Sequence, residues 1–161
     1  MATLGELNQA HKDGFSLVEA LMAVTILGIL SAIALPNYMN SIKSSRQSDV
    51  ANQISQILTT IQAYREEFLT DPSSWDDLAR ITPVPTNSGA AKGSGFTAIA
   101  SPNGGYYNIS ITPGTTTNIT ASPAINSQNG WAISACLNTQ SGISGIERSS
   151  PGSTAKTPNC S

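Results

Sequence analysis

The sequence predicts an α+β protein, in which a long N-terminal α-helix forms a lollipop-like stem and packs against a small antiparallel β-sheet head with a C-terminal disulfide. Two patterns lead to this prediction. An apolar run at residues 15–35 continues into an amphipathic helical segment at residues 36–69. Short segments of alternating polarity follow at residues 106–147, separated by Pro-Gly and Asn-Gly turns. The head is expected to comprise residues 70–161.

The composition argues against several classes of function. The 161 residues carry a formal net charge of −2, which argues against nucleic acid or an anionic membrane surface as a partner. The sequence has no phosphate-binding or dinucleotide-binding glycine motif, and its single histidine, His11, occurs in the polar leader. We therefore expect no enzymatic activity, no catalytic residues, no metal site and no cofactor.

The apolar run contains one unexpected charge. Between Phe15 and Leu35 the chain has 21 residues and a single ionisable group, Glu19. A helix of that length spans about 30 Å, the thickness of a bilayer's hydrocarbon core. A carboxylate inside such a span costs about 2.5–3.5 kcal/mol, so Glu19 needs a partner or a function. The run predicts a single membrane-spanning segment that follows a polar leader, residues 1–14.

The sequence leaves two alternatives open for the cleavage site and two for the orientation of the chain in the membrane. An A-x-A-like site at Ala32–Ala34 would suit an ordinary signal peptidase, but cleavage there leaves Glu19 unexplained. Lys12 precedes the span while Lys43 and Arg46 follow it, a distribution that weakly favours a cytoplasmic C-terminal part. Two cysteines in that part favour the opposite orientation, because disulfides form in oxidising compartments.

The start of the apolar run has a specific pattern, Gly14-Phe15-Ser16-Leu17-Val18-Glu19. An uncharged run follows, and Pro36 is at the twenty-second position after Gly14. This pattern resembles the class III signal of type IV pilins and related pseudopilins. The resemblance is specific over about residues 12–68 and covers the remainder only by architecture. It implies a prepilin of the N-methyl-Phe type, cleaved after Gly14 by a membrane prepilin peptidase and then N-methylated on Phe15.

Such a cleavage gives Glu19 a physical role. It leaves a cationic α-amine on Phe15, and Glu19 lies four residues further on the same helical face. In a lone subunit the carboxylate could pair with its own amine. In a bundle of helices it could pair with the amine of a neighbour, which is what the resemblance implies. That pairing would set the axial register of assembly, because every other stagger leaves charges unpaired.

Beyond the apolar run, the helix has two weak points, Gly28 and Pro36. Pro36 is expected to kink or end the helix, and the resemblance implies that the helix loosens between these two residues when subunits enter a filament. Apolar residues then recur on one face, and Asp71-Pro72 is a stop signal, so the helix is predicted over residues 15–68. The recurring residues are Val50, Ile54, Ile57, Leu58, Ile61, Tyr64 and Phe68.

The head is predicted as an αβ-loop, residues 70–105, followed by a β-meander, residues 106–147. Within the loop, Ser73–Leu78 has the pattern of a short capped helix, and the rest is loop-like. The strands are predicted at residues 96–100, 106–111, 118–122, 131–137 and 143–146, with Trp131, Ile133, Ala135 and Leu137 on one face of the fourth.

The two cysteines, Cys136 and Cys160, favour a structural disulfide over a redox or zinc site, because their spacing fits neither. Two unrelated buried thiols are the alternative. A bond between them would close a 25-residue loop, residues 136–160, and would stabilise the head by roughly 3.5 kcal/mol in the chain-entropy model. The arrangement resembles the C-terminal disulfide-bounded region of type IV pilins.

The function predicted from these patterns is a structural subunit that polymerises through its N-terminal helix into a type IV pilus fibre. The expected partners are other copies of the chain, a prepilin peptidase, the inner-membrane assembly machinery and, before assembly, the membrane itself. The expected location is the bacterial inner membrane as a single-pass precursor and then the cell surface. The alternatives are a minor pilin for adhesion or DNA uptake, a type II secretion pseudopilin, and a plain membrane-anchored extracytoplasmic domain.

Overall fold

The computed structural model describes residues 14–102, 104–124 and 130–161. The chain divides into two compact units, Met1–Asn40 and Ser41–Ser161, and each is described by itself. The predicted leader, apart from Gly14, lies outside the described residues.

The helix predicted over residues 15–68 is present as α1, Leu17–Phe68. Pro36 lies inside it, so of the two expected effects of proline, a kink or an end, the helix does not end at that position. The helix can continue because proline removes one backbone hydrogen bond while the flanking turns retain theirs.

Within the second unit, one face of α1 is buried as the spacing predicted. Val50, Ile54, Ile57, Leu58, Ile61 and Tyr64 are all buried. Phe68 departs from the prediction because 40% of its surface is exposed, and its ring packs on Tyr64 with 4.5 Å between centroids.

Polar residues of α1 are also buried, which the apolar pattern did not indicate. Gln47 donates to the carbonyl oxygens of Ala132 at 3.2 Å and Ser149 at 3.0 Å, and Gln53 donates to that of Pro85 at 2.7 Å. These side chains join the helix to strands and loops that are distant in sequence.

The connection after α1 contains more regular structure than predicted. The short capped helix is confirmed as α2, Trp75–Ala79, whose N-cap Ser74 accepts a hydrogen bond from the Asp77 amide. A two-stranded hairpin follows, β1, Pro85–Thr86, with β2, Gly89–Ala90, in a segment predicted as loop. Strands of two residues are too short to show an alternating pattern.

The antiparallel meander is confirmed as a five-stranded sheet in the order β3-β4-β5-β6-β7. All four neighbouring pairs are antiparallel. The strands are β3, Ile99–Ala100; β4, Tyr107–Thr112; β5, Thr116–Pro123; β6, Ile133–Asn138; and β7, Ser144–Arg148.

The strand boundaries differ from prediction: β4 is shifted by one residue, and β7 ends two residues later than the predicted 143–146. The first strand is shorter than the predicted 96–100, and β5 is longer than the predicted 118–122. Trp131 lies outside β6 with φ of 64°, so its predicted place on the strand face is wrong. The Trp131 carbonyl instead accepts a hydrogen bond from the Tyr107 hydroxyl at 2.9 Å, which holds the turned backbone against the sheet.

One hydrophobic core joins the buried face of α1 to the sheet. Strand β4 alternates between buried and exposed residues, with Tyr107, Ile109 and Ile111 inward. Its outward residues are Asn108, Ser110 and Thr112, so this face of the sheet is polar as predicted. The remaining core side chains include Trp75, Leu78, Ile99, Ile119, Ala121, Ile133, Ala135 and Leu137.

The predicted disulfide is present between Cys136 and Cys160, with 6.0 Å between their α-carbons. It ties the C-terminal segment to β6, across from Gly145 of β7. A side chain at Gly145 would bring its Cβ to 3.0 Å from the Cβ of Pro158, a tight contact, so glycine gives the C-terminal segment room to cross the sheet.

We expect Ile54→Ala to lower the free energy of unfolding of the head by about 3 kcal/mol, because Ile54 is fully buried between helix and sheet. Chemical denaturation followed by tryptophan fluorescence measures this change. The exposed Gln56→Ala on the same helix should change the value by less than about 0.5 kcal/mol. Equal effects of the two substitutions would contradict the assignment of Ile54 to the core.

We expect Cys136→Ser with Cys160→Ser to lower the free energy of unfolding by roughly 3.5 kcal/mol, because the denatured chain regains the freedom of a 25-residue loop. The same denaturation measurement, made without reductant, tests this. Adding reductant should lower the stability of the wild type and leave that of the double variant unchanged. An unchanged midpoint in the variant would show that the disulfide does not stabilise the head.

Candidate functional site: the exposed apolar start of the helix

The first part of α1 is apolar on all sides and exposed on all sides. Every residue from 14 to 40 is exposed. The large apolar side chains from Phe15 to Met39 retain between 55% and 81% of their surface. A soluble monomer rarely exposes an apolar patch of this extent, and a helix that is apolar all round is normally buried in protein or lipid. This segment therefore requires a cover that the described residues of the chain do not provide.

The length and composition of the segment fit a lipid cover. Within the described part of the chain, α1 is the one helix long and apolar enough to cross a membrane, with a mean hydropathy of 2.3 over its best window. The predicted membrane-spanning segment is thus compatible with the helix found, and it lies at the N-terminal end of that helix.

The predicted cleavage site lies immediately before the helix. Gly14, Phe15 and Ser16 are outside α1 and exposed, a state in which a peptidase can reach the backbone. Helical hydrogen bonding begins at once, because the Ala20 amide donates to the Ser16 carbonyl at 3.1 Å. Cleavage after Gly14 and methylation of Phe15 both remain predictions.

Glu19 lies in the first turn of α1 and is exposed. A carboxylate at this position interacts favourably with the positive end of the helix dipole. It is the only ionisable side chain between Phe15 and Leu35, so it is the only charge that could pair with an amine at this end. That pairing requires the cleaved chain and remains a prediction.

Two polar side chains in this segment bond back to the helix, and sequence reasoning did not single them out. The Thr25 hydroxyl donates to the Leu21 carbonyl at 2.8 Å, and the Asn37 amide donates to the Ile33 carbonyl at 3.2 Å. Such bonds to the residue four positions earlier satisfy the side chain inside an apolar environment. Asn37 directly follows Pro36, and its side-chain hydrogen bond stabilises the helical turn in which proline lacks a backbone donor.

Gly28, the other predicted weak point, lies in open space. Apart from the adjoining backbone of the helix, a Cβ built there would meet no atom of the described residues within 4 Å. Because no contact among the described residues requires a small residue here, Gly28 leaves room for another helix to approach closely. Neither Gly28 nor Pro36 interrupts α1, and loosening of the helix between them remains a prediction.

The acidic pair of α2 has structural partners. Asp76 accepts from the Gly93 amide at 3.0 Å, and Asp77 accepts from both the amide and the hydroxyl of Ser73 at 3.0 Å. The hydrogen bond from the Ser73 backbone amide, followed by the interaction with the Ser74 side chain, holds the pKa of Asp77 below its usual value. Among the described residues, no group of three or more His, Cys, Asp or Glu side chains could hold a metal ion.

Comparison with known proteins confirms the resemblance over the N-terminal segment. Residues 10–35 match the family model of the prokaryotic N-terminal methylation motif. The chain is 43% identical to the type IV major fimbrial protein FimA of Dichelobacter nodosus over 51 residues, which are 32% of this chain and 33% of that protein. It is 32% identical to the type IV major pilin protein PilA of Myxococcus xanthus over 66 residues, 41% of this chain and 28% of that protein.

A type II secretion protein is also similar to part of the chain. Identity to the type II secretion system core protein G of Pseudomonas aeruginosa is 26% over 82 residues, 51% of this chain and 58% of that protein. The chain spans about a third of the length of the fimbrial relatives it matches. No solved structure matches it significantly.

We expect Pro36→Ala to slow amide hydrogen exchange in the flanking turns about 100-fold in detergent micelles, because it restores a backbone hydrogen bond and removes a penalty of about 3 kcal/mol. Gly28→Ala, which the open space around Gly28 accommodates, should slow exchange about fivefold. Exchange measured by mass spectrometry tests both. Unchanged exchange in Pro36→Ala would show that proline does not weaken the helix.

Proposed function

We propose that this chain is a non-enzymatic structural subunit of a type IV pilus, which polymerises through the N-terminal half of α1 after cleavage between Gly14 and Phe15 and N-methylation of Phe15. The observation that carries the proposal is the exposed apolar start of α1, which combines a matched methylation motif with a single carboxylate. The similarity to major type IV pilins over the same residues supports it.

The segment has two successive covers in this proposal. Before assembly it spans the inner membrane, where lipid tails contact its apolar side chains. In the fibre, the same side chains contact other copies of the segment. Lipid tails are as apolar as leucine, so this exchange gains little from the hydrophobic effect, and close packing and polar pairing decide the association.

Glu19 supplies the polar pairing. A carboxylate at the centre of an apolar bundle costs about 2.5–3.5 kcal/mol when unpaired, and the Phe15 α-amine carries a similar penalty. Only one axial stagger between two helices places the carboxylate of one beside the amine of the other. Every other stagger leaves two buried charges without partners, so this pair selects the register of the fibre.

The head would form the outer part of the fibre. Its polar outward strand face and its disulfide suit an oxidising, aqueous environment outside the cytoplasm. The proposed partners are other copies of the chain, a prepilin peptidase and the inner-membrane assembly machinery. The mature chain, residues 15–161, has seven basic and eight acidic side chains, which does not favour DNA binding.

A type II secretion pseudopilin is the second candidate, supported by the similarity to core protein G. Identity to that protein is lower than to the fimbrial proteins, and the disulfide favours a pilin by resemblance. Location distinguishes the two functions, because a pilin accumulates in fibres that can be sheared from the cell surface.

We expect surface-sheared fibres to contain this chain with methylated Phe15 as its first residue. N-terminal sequencing and intact mass of the sheared fraction test processing and assembly together. Fibres that lack the chain, or a membrane fraction in which Met1 is retained, would contradict the proposal.

We expect Glu19→Ala to leave membrane insertion unchanged and to reduce the fibre yield at least tenfold, since one lost buried pair corresponds to more than 1.4 kcal/mol. Membrane fractionation and quantification of sheared fibres give the two readouts. Glu147→Ala removes an exposed carboxylate from β7 and serves as the matched control. A wild-type fibre yield from Glu19→Ala would overturn the role of the pair.

A further inference from the structure

Leu69, directly after α1, is the most exposed large apolar side chain among the described residues, at 84%. Its φ is 57°, in the left-handed region that favours glycine or asparagine and disfavours leucine. Its amide donates to the Arg65 carbonyl at 2.8 Å, so the helical hydrogen bonding extends to this residue. At this position leucine therefore stabilises the head of a single subunit neither through a favourable backbone conformation nor through burial of its side chain.

The residues around Leu69 form a surface that we call the helix cap, residues 66–70. Phe68 in this cap is 40% exposed. Glu66 and Glu67 are exposed as well, and among the described residues neither forms an ion pair. The local ion pair joins Arg65 to Asp71 instead. The helix cap thus presents two apolar side chains beside two acidic ones.

At the other end of the buried part of α1 lies a surface groove of about 370 Å³, lined mainly by Arg46, Asp49, Asn52, Gln53, Pro102 and Tyr106. The Arg46 guanidinium lies 3.5 Å from the centre of the Tyr106 ring, and Lys43 is one turn earlier on the helix. Tyr106 is 37% exposed and gives the groove an apolar wall. The buried side-chain oxygen of Gln53 has no hydrogen-bond partner among the described residues.

We propose that the helix cap of one subunit seats in this groove of a second copy of the chain, with Leu69 against the Tyr106 wall and Glu66 and Glu67 beside Lys43 and Arg46. This inference rests on the proposed function and adds a head-to-head contact to it.

Three features select a second copy as the occupant. Glu66 and Glu67 of the helix cap are opposite in charge to Arg46 in the groove and to Lys43, one turn earlier on α1, and Leu69 is complementary to the apolar wall. The two surfaces are different and lie about 19 residues apart on one helix, roughly 30 Å along its axis. A contact between two different surfaces of identical subunits is heterologous, and when displaced along an axis it generates an open fibre rather than a closed dimer.

Cysteine cross-linking in assembled fibres tests the contact directly. We expect Leu69→Cys with Asn52→Cys to form a ladder of covalent multimers under mild oxidation, because seating brings the two positions within disulfide reach. Subunits dispersed in detergent should give no ladder, and neither should fibres of Leu69→Cys with the exposed Ser153→Cys. Fibres that form without a ladder, with Asn52→Cys as reactive to maleimide as in dispersed subunits, would show that the groove faces solvent or a small ligand and would overturn the inference.

Charge exchange provides an independent test. Glu66→Lys with Glu67→Lys should lower the fibre yield about tenfold through like-charge contacts, and Lys43→Glu with Arg46→Glu should do the same. Combining all four substitutions should restore the yield to within about twofold of the wild type. Lys156→Glu, at an exposed position that belongs to neither surface, is the control. A combination that assembles no better than either pair would contradict the contact.

Leu69→Gly separates assembly from folding. It should raise the Tm of the dispersed full chain by about 3 °C, because glycine relieves the unfavourable backbone conformation, while it lowers the fibre yield. A lower Tm would assign Leu69 a structural role and overturn the inference. Absence of fibres from the wild-type chain would refute the proposed function itself, whereas wild-type fibres without the cross-link refute only this contact.

Discussion

The packing of the Val50–Tyr64 face of α1 against the five-stranded sheet is the contact on which the second unit depends. The core formed there includes side chains from α1, α2 and every strand from β3 to β6. Neither partner could be stable alone, because an isolated amphipathic helix and a small sheet each expose an apolar face to water. Gln47 and Gln53 add polar ties that hold the helix in one position relative to the sheet, since each reaches a backbone carbonyl far along the chain.

Before residue 41, the same helix needs a cover from outside the folded chain. There the apolar side chains surround the helix and all are exposed, so folding of the chain leaves the apolar segment uncovered. Lipid and other copies of the segment are the two proposed covers that match its chemistry, and residues 10–35 match the prokaryotic N-terminal methylation motif. In the proposed fibre, the importance of Glu19 would come from solvent exclusion, because the same carboxylate in water would interact only weakly with an amine.

Exposed apolar side chains in the head can likewise be assessed by asking what would cover them. Most of the outward surface is polar, and the disulfide holds the C-terminal segment across β7 where Gly145 permits its approach. Leu69 departs from this pattern in exposure and in backbone conformation together, which is why it points to an intermolecular role. An exposed leucine in relaxed backbone would be unremarkable, and a strained leucine with buried neighbours would be explained by packing.

The sequence by itself determined the long helix, its division into an all-apolar and a one-sided part, the meander and the cysteine pair. These features depend on local periodicity and on residue types, which a single chain displays directly. Only the tertiary structure decided that α1 passes through Pro36, that Trp131 leaves β6, that residues 85–90 form a hairpin, and that Gln47 and Gln53 are buried. Burial of Gln47 and Gln53 and the turn at Trp131 depend on partners distant along the chain, and the strands of the hairpin are too short for a periodic pattern. Passage through Pro36 depends on the hydrogen bonds of the flanking helical turns. The Leu69 surface became visible only when exposure and backbone conformation were known together.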